Sequence, residues 1–492
     1  MYIAAAQTEH DQGYRLHLVN RMKEAEPHYH KALALEPEFK EAWINLGLAV
    51  LSQGRPDEAL SCQREALRLD PESADAHNNL GMAHYAQGHI AEAESCFRAA
   101  LRLRPDHANA TLNLGSARQV LNDVEQADAL FRRAIALGVE PAPAKANLAL
   151  ALMEQIRPEE AEQCCREALA LWPGYVEAKA NLALALLAMG RLEEGWREYE
   201  SRWEVEAMGL SAPALPEPRW TGQPLNGETV LLYAEQGFGD TLQFCRYAPM
   251  VAAAGGRVVL VVPPELRRIM GTLEGVAAVL AEDDPLPAFD YHCPLLSLPF
   301  AFGTTMETIP APLGYLRADP SPWADFLETL PGLKVGLVWA GKSRTAQPHA
   351  VAIDKRRSMR LADMAPLLLV PGCSFVSLQL GPPAAQMRAL PRGAVLHDVS
   401  ERRTDWAATA DLIAGLDLVI AVDTAVAHLA GALGKKVWML NRYDSCWRWF
   451  LNRDDTPWYP SMRQFRQASR GDWSGVIERV RLALETNPPR KG

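Results

Sequence analysis

The sequence predicts an all-helical solenoid followed by two α/β units, and three observations carry that prediction. Residues 1–210 repeat with a period of 34: Pro37, Pro71 and Pro105 are 34 apart, and Pro173 follows at twice that spacing. The stretch "SAPALPEPRWTGQP" then ends the repeat with four prolines, Pro213 to Pro224. Beyond it, short apolar runs alternate with helical segments: "TVLLY", "RVVLVV", "KVGLVWAG", "SFVSLQLG", "AVLHDV", "LVIAV" and "KVWML". A fixed period of tens of residues is the mark of stacked repeats. Strands alternating with helices mark a parallel sheet with crossovers. At 492 residues, 48% hydrophobic and 22% charged, the chain has room for about three domains with substantial cores.

Each repeat unit has the same parts. The segments "LALEP", "LRLDP", "LRLRP", "AIALGVEP" and "LALWP" mark helix ends. Between them run "EAWINLGLAV", "DAHNNLGMAH", "NATLNLGSAR", "PAKANLALAL" and "EAKANLALAL". Small residues recur at Ala59, Ala93, Ala127 and Ala161, and again at Ala66, Ala100, Ala134 and Ala168. With an earlier unit (Ala25, Tyr29, Ala32, Pro37) and a late degenerate one (Asn181 to Trp203), the chain holds about six. The pattern resembles the tetratricopeptide (TPR) repeat, and the resemblance implies a superhelix with a concave binding surface.

One position in the repeat asks for its own explanation. Asn45, Asn79, Asn113, Asn147 and Asn181 are spaced by 34, each just before the Leu of its unit. Asn is a mediocre helix former, so five in register require a reason. Each Asn bonds locally within its helix pair, or the five form a ladder along the concave face. An amide offers both donor and acceptor, so such a ladder can clamp the backbone of an extended polypeptide. The arm is similar to that of O-linked N-acetylglucosamine transferases, which carries such a ladder; the resemblance implies a polypeptide acceptor or partner.

After the proline-rich linker, "TVLLYAEQGFGDTLQFCRYAPMVAAAG" reads as strand, glycine turn and helix. A second linker, "RADPSPWADFLETLPG", precedes the second α/β series. Two Rossmann-like units leave a cleft at the C-terminal ends of their strands, where ligands bind. The expected organisation is a TPR superhelix over residues 1–210, an acceptor-side Rossmann-like domain over 211–330 and a nucleotide-sugar-binding one over 331–492. This arrangement resembles a GT-B glycosyltransferase. "AEQGFGDTLQ", "GLVWAGKSR…DKRRS" and "AVDTAVAHLAGALGKKVW" resemble glycosyltransferase family 9, the heptosyltransferase-like group. The fold class is therefore an α-solenoid followed by an α/β GT-B fold, and the resemblance implies inverting transfer from a nucleotide sugar without a metal.

The motifs suit that chemistry residue by residue. In "VIAVDTAVAHLAGALGKKV" a strand ends at Asp423, and Thr424 and Ala425 open a helix whose free N–H groups and dipole favour an anion. Thr424 adds a hydroxyl, and His428 lies on the same helix face one turn on. Asp423 is expected to cap the helix rather than touch an anion. The resembling family has Asp-Thr-Gly-x-x-His, and this chain has Ala425 in place of the glycine. The loop "KSRTAQPHAVAIDKRRSMR" gathers Lys342, Arg344, Lys355, Arg356, Arg357 and Arg360 against the single acid Asp354. Cations there neutralise a diphosphate leaving group, or form a solvated face; the resemblance places a donor-phosphate contact at Arg356 or Arg357. "AEQGFGDTLQF" sets Gly237 and Gly239 in a tight turn before a helix starting near Asp240. By resemblance Asp240 is the general base, with the glycines letting substrate approach; the alternative is a helix cap. Trp447, Arg448, Trp449, Trp458 and Tyr459 are core residues, or one of the aromatics is a platform for sugar or base.

Composition narrows the partners. Residues 1–210 hold 32 acidic and 21 basic side chains, a net of −11, and the remainder nets +1. An acidic arm argues against nonspecific nucleic-acid binding. No Asp-x-Asp occurs, so a metal-held diphosphate has no obvious ligands and no metal or other cofactor is expected. Eight cysteines without C-x-x-C spacing read as free thiols in a reducing compartment. The N-terminus lacks a basic start with an apolar core, and no run reaches membrane-span length, so a cytoplasmic protein is expected. The leading reading is an inverting glycosyltransferase with a polypeptide acceptor. The rivals are a lipid-linked or polysaccharide acceptor, or an inactive TPR scaffold.

Overall fold

The computed structural model describes residues 2–211, 213–342 and 348–486. By compactness the chain divides into two units, residues 1–178 with 344–352, and residues 179–343 with 353–492.

Among the described residues the first unit holds helices in pairs: α1 (Tyr2–Leu18), α2 (Met22–Leu35), α3 (Lys40–Leu51), α4 (Pro56–Leu69), α5 (Ala74–Ala86), α6 (Ile90–Leu103), α7 (Ala108–Val120), α8 (Val124–Ala136), α9 (Pro141–Glu154) and α10 (Pro158–Leu171). The repeat's glycine has a packing reason. A Cβ at Gly81 would sit 2.6 Å from the Phe97 ring, and one at Gly115 would sit 2.7 Å from Phe131, so the missing side chain is the slot for the second helix's aromatic. Where α9 has Ala149 instead, α10 has the smaller Cys165 in place of the ring, which leaves room for the Ala149 methyl. The turn between paired helices is left-handed at Asn20, Gly54, Gly88, Asn122, Ile156 and Gly190, again 34 apart. Gly and Asn suit that conformation; the β-branched Ile156, at φ 58°, does not.

The second unit opens with α11 (Val176–Ala188), which straddles the boundary, and α12 (Leu192–Tyr199) with the 3₁₀ turn Glu200–Trp203. The compact boundary thus falls well before residue 210. The cause is aromatic and ionic: Trp196 packs edge-on to Phe244, Trp447 and Trp458, and Arg202 bonds Glu235. The first sheet has four parallel strands, β1 (Thr229–Tyr233), β2 (Arg257–Val262), β3 (Val276–Ala281) and β4 (Tyr291–Pro294), in the order β3-β2-β1-β4. Its helices are α13 (Phe238–Phe244), α14 (Ala248–Ala253), α15 (Arg267–Met270) and α16 (Leu298–Ala301). The second linker carries α17 (Ala324–Glu328).

The second sheet has five parallel strands, β5 (Leu333–Val338), β6 (Cys373–Ser377), β7 (Leu418–Val422), β8 (Val437–Asn441) and β9 (Met462–Arg466), ordered β6-β5-β7-β8-β9. The same stretch of chain carries α18 (Pro348–Arg357), which straddles the unit boundary, and α19 (Ala365–Leu368), α20 (Trp406–Ala414), α21 (Ala425–Ala432) and α22 (Trp473–Thr486). The expected strand "AVLHDV" is instead an isolated bridge, His397 to Val376. The fifth strand is β9, whose "MRQFR" carries too much charge to announce itself. β7 is buried at every residue, as expected of a central parallel strand.

Candidate functional site

The ends of β5, β7 and β8 in the second sheet and of β1 in the first carry the candidate residues. At the end of β7, Thr424 (φ −145°, ψ 164°) is the last non-helical residue before α21. It therefore holds the cap position, and the expected cap at Asp423 is one residue early. No side chain caps the helix; Thr424 Oγ1 donates to Val422 O at 3.1 Å. The N–H groups of Ala427 and His428 bond back to Thr424 O, leaving those of Ala425 and Val426 as the helix's free donors.

His428 is 5% exposed and sits among aromatic side chains. Its ring stacks on Trp449 (centroids 5.2 Å apart) and Nδ1 lies 2.9 Å from the Tyr459 hydroxyl. Burial pushes its pKa down to about 4, so the imidazole is neutral near neutral pH. With Tyr459 donating to Nδ1, the proton sits on Nε2, 3.9 Å from Asp423 Oδ1. Gly239 of α13 packs directly on this ring: a Cβ there would lie 3.0 Å from His428 Cδ2. That glycine lets α13 and α21 approach each other, and the space expected for substrate at Gly239 is filled by His428.

At the end of β5, Arg357 lies over Gly341, donates to Lys342 O at 3.1 Å and pairs with Asp354 at 3.0 Å. Lys342 itself is exposed, and Arg344 lies outside the described residues. Arg356 points the other way, to Asp444 beyond the end of β8, at 3.1 Å. Asp444 also faces Arg470 at 3.7 Å and Arg442 at 3.9 Å. Three guanidinium groups thus surround one carboxylate, an excess of positive charge in a mostly buried cluster. Arg442 Nη1 is buried without a hydrogen-bond partner in the structure, a donor left for a ligand. Sequence reasoning missed Arg442, Asp444 and Arg470; the signal was "NRYD" directly after an apolar strand.

At the end of β1, Gly237 takes the N-cap of α13, and Asp240 sits in its first turn. The expected helix start near Asp240 is two residues late, and Asp240 is not the cap. Its carboxylate pairs with Arg448, which also donates to Gln243 Oε1 at 3.0 Å and lies 4.2 Å over the Trp447 ring. Burial disfavours the charged guanidinium, but Asp240 together with Cys446 and Tyr199 outweighs it and holds the Arg448 pKa above its ordinary value. Trp447, Trp449, Trp458 and Tyr459 are all at most 6% exposed, so they are core and offer no free ring face to a sugar or base. Two pairs that sequence reasoning also missed support the glycine turn. Arg202 Nε and Nη2 donate to Glu235 Oε1 at 2.8 and 2.6 Å, and Gln236 Nε2 donates to the Tyr199 hydroxyl at 3.2 Å. Burial pushes Glu235 up to about 7, with only one oxygen engaged by Arg202.

In the repeats, two ladder asparagines bond between units and one bonds within its own helix. Asn113 Nδ2 donates to Asn78 Oδ1 at 2.9 Å, Asn78 donates to Asn79 at 3.0 Å, and Asn45 Nδ2 meets His10 Nε2 at 3.0 Å. Asn147 and Asn181 hold the same register in α9 and α11. Among the described residues no group of three His, Cys, Asp or Glu side chains is placed to hold a metal ion, and no helix is long and apolar enough to cross a membrane. The eight cysteines are free thiols.

Known proteins match both halves. Residues 41–106, and the windows 78–146, 112–175 and 146–210, match tetratricopeptide repeats. Residues 402–468 match glycosyltransferase family 9 (heptosyltransferase), a stretch that holds Thr424, His428, Arg442, Asp444 and Arg448. The chain is 29% identical over 324 residues to protein FlbA of Caulobacter vibrioides, covering 60% of this chain and 52% of that one. It thus spans about half the length of this curated relative. Among solved structures it is similar to a TPR protein of Thermus thermophilus (25% identity, 37% of this chain and all of that one, TM-score 0.35). PilF of Pseudomonas aeruginosa is also similar (21% identity, 41% and 98% covered, TM-score 0.34).

Proposed function

We propose that this chain, which joins tetratricopeptide repeats to a domain like those of glycosyltransferase family 9, is an inverting glycosyltransferase that moves a sugar from a nucleotide-sugar donor to a polypeptide. The observation that carries this reading is the convergence of a phosphate-type helix start at Thr424 with the arginines around Asp444 at neighbouring strand ends. A diphosphate there takes hydrogen bonds from the Ala425 and Val426 amides and the His428 Nε2–H, while Arg356 and Arg442 supply the positive charge. These cations stabilise the leaving group, the role a metal fills elsewhere. Metal independence belongs to the proposal.

Asp240 is the proposed general base, accepting the acceptor's hydroxyl proton as the oxygen attacks the anomeric carbon. In the free protein its carboxylate is engaged by Arg448. A donor diphosphate that draws Arg448 away leaves it open to the acceptor hydroxyl, so base and leaving-group site act together. The same ion pair is what favours the second reading, a scaffold whose transfer site is silent. The asparagine ladder is the proposed acceptor clamp, with Asn147 and the second N–H of Asn113 as its available groups.

The test is donor hydrolysis. Incubating the full chain with UDP-, GDP-, ADP- and CDP-sugars and following nucleotide release should reveal one base that turns over slowly without acceptor. Release that persists unchanged in Asp240→Asn, or none from any donor, would contradict the transferase reading.

A further inference from the structure

Just after α13, Arg246 is only 2% exposed, and a guanidinium taken out of water is costly unless its charge has a partner. Here the partners are neutral. Nε donates to Gln243 O at 2.7 Å, and Nη1 donates to Pro310 O at 3.0 Å and to Trp458 O. Nη2 donates to the Tyr315 hydroxyl at 3.0 Å. The guanidinium carbon also lies 4.4 Å from the centre of the Tyr459 ring and 4.8 Å from that of Tyr315. Among the described residues none of these N–H groups goes to a carboxylate. A buried group that is always charged and has no acid beside it requires a reason.

The reason lies one ring away, at His428. Gly431, three residues on in α21, makes room for Tyr459: a Cβ there would lie 2.4 Å from Cδ1 of that ring. Seated so, Tyr459 brings its hydroxyl 2.9 Å from His428 Nδ1, and the same hydroxyl bonds Arg246 and Tyr315. Burial foremost, and the Arg448 and Arg246 charges besides, keep the imidazole neutral. One ring nitrogen therefore carries the proton, and the 2.9 Å contact fits either direction of donation.

The donor inventory decides the direction. Arg246 has five N–H groups and accepts nothing. Three carbonyls and Tyr315 take four of them, which leaves the second N–H of Nη2 for the Tyr459 oxygen. The Tyr315 proton goes to Leu242 O at 2.7 Å. Both phenol oxygens thus already accept from the cation, and Tyr459 has one proton to place. An imidazole nitrogen is a far better acceptor than a phenol oxygen, so that proton goes to Nδ1. His428 then holds its own proton on Nε2, the nitrogen that faces Asp423. Without the guanidinium, the Tyr459 oxygen would have no donor except Nδ1–H, and the tautomer would reverse.

We propose that Arg246 is a positioning residue: by donating to Tyr459 it makes that hydroxyl donate to His428 Nδ1, and so fixes the His428 proton on Nε2. The tautomer stands on these contacts alone. Its use, as a donor to the leaving diphosphate, rests on the transferase reading above.

NMR of the full chain labelled with 15N at histidine tests it, with His428→Asn identifying the His428 signals. At about pH 7.5 the wild type should show a neutral His428 with the Nε2–H form at least about tenfold over the other, the worth of one buried hydrogen bond. A proton on Nδ1 would overturn the proposal without any variant. Arg246→Met should make the Nδ1–H form the major one. Arg246→Lys is the milder change and answers even where the methionine variant does not fold. It keeps the buried charge but brings three N–H groups to five oxygens, and should show both forms. Tyr315→Phe leaves the contact between Arg246 and Tyr459 in place and should keep the wild-type form. An Nε2–H tautomer unmoved in the Arg246 variants, or lost in Tyr315→Phe, would reject Arg246 as its cause. Titration of the same variants with nucleoside diphosphates reports separately on the transferase reading: a tautomer that follows Arg246 in a chain that binds no nucleotide would sink that reading and leave this one standing.

Discussion

His428 ties the stability of the transfer site to pH in a way that can be measured. Its folded-state pKa is lowered from the ordinary 6.5 to about 4, because burial against Trp449, Tyr459 and Gly239 excludes the water a cation needs. The unfolded chain takes up the proton first as pH falls. Stability is therefore full above about pH 6.5, declines toward pH 4, and levels below it. Lowering the pKa from 6.5 to about 4 corresponds to about 3 kcal/mol, with a slope of up to about 1.4 kcal/mol per pH unit. The comparison protein is His428→Asn, whose Oδ1 takes the place of Nδ1 and still accepts from Tyr459 but does not titrate. Urea denaturation followed by tryptophan fluorescence, at steps from pH 7 to pH 4, gives both stabilities. The wild type's advantage over the variant should shrink by about 3 kcal/mol across that window. Parallel pH profiles would refute a buried neutral imidazole. They would also remove the Nε2–H from the proposed phosphate contacts.

Three further outcomes follow from particular contacts. Asp240→Asn should lower turnover at least about a hundredfold, the lower range for a general base, with nucleotide affinity retained by titration; near-normal turnover would make the Arg448 pair purely structural. Glu235 has a raised pKa, so its contribution to stability is lost as pH rises through about 7. Glu235→Gln should thus gain on the wild type in thermal melts between about pH 5 and pH 8, and a loss would reverse the assignment. Ile156→Gly should raise the stability of the repeat unit by up to about 1 kcal/mol, because a β-branched residue at φ 58° gives way to one that tolerates it; a lower melting temperature would mean that Ile156's packing outweighs its strain.

The repeats were legible because one spacing served every residue at once: proline ends, glycine slots and left-handed turns all fall 34 apart. Parallel-sheet strands were legible where they are uniformly apolar, as in β7. The isolated bridge at His397 and the charged strand β9 were misread because edge positions are set by neighbours rather than by local sequence. The site was legible where a motif is contiguous, at Asp423–His428 and Gly237–Asp240. Its electrostatics were not. Arg448 reaches Asp240 across more than two hundred residues of chain, and Arg356 meets Asp444 across nearly ninety. Such pairings exist only once the two sheets have formed. The role of Gly239 was misjudged for the same reason, since the ring it accommodates belongs to a distant helix.

The central claim is that the strand ends carrying Thr424, Arg356 and Arg442 hold a nucleotide diphosphate. Isothermal titration of the full chain with UDP, GDP, ADP and CDP tests it most directly. One of these should bind saturably at a single site, weaken with added salt, and lose at least tenfold in affinity in Arg442→Ala, whose Nη1 is otherwise unpaired. Absence of binding by all four, or binding that Arg442→Ala leaves unchanged, would contradict the account.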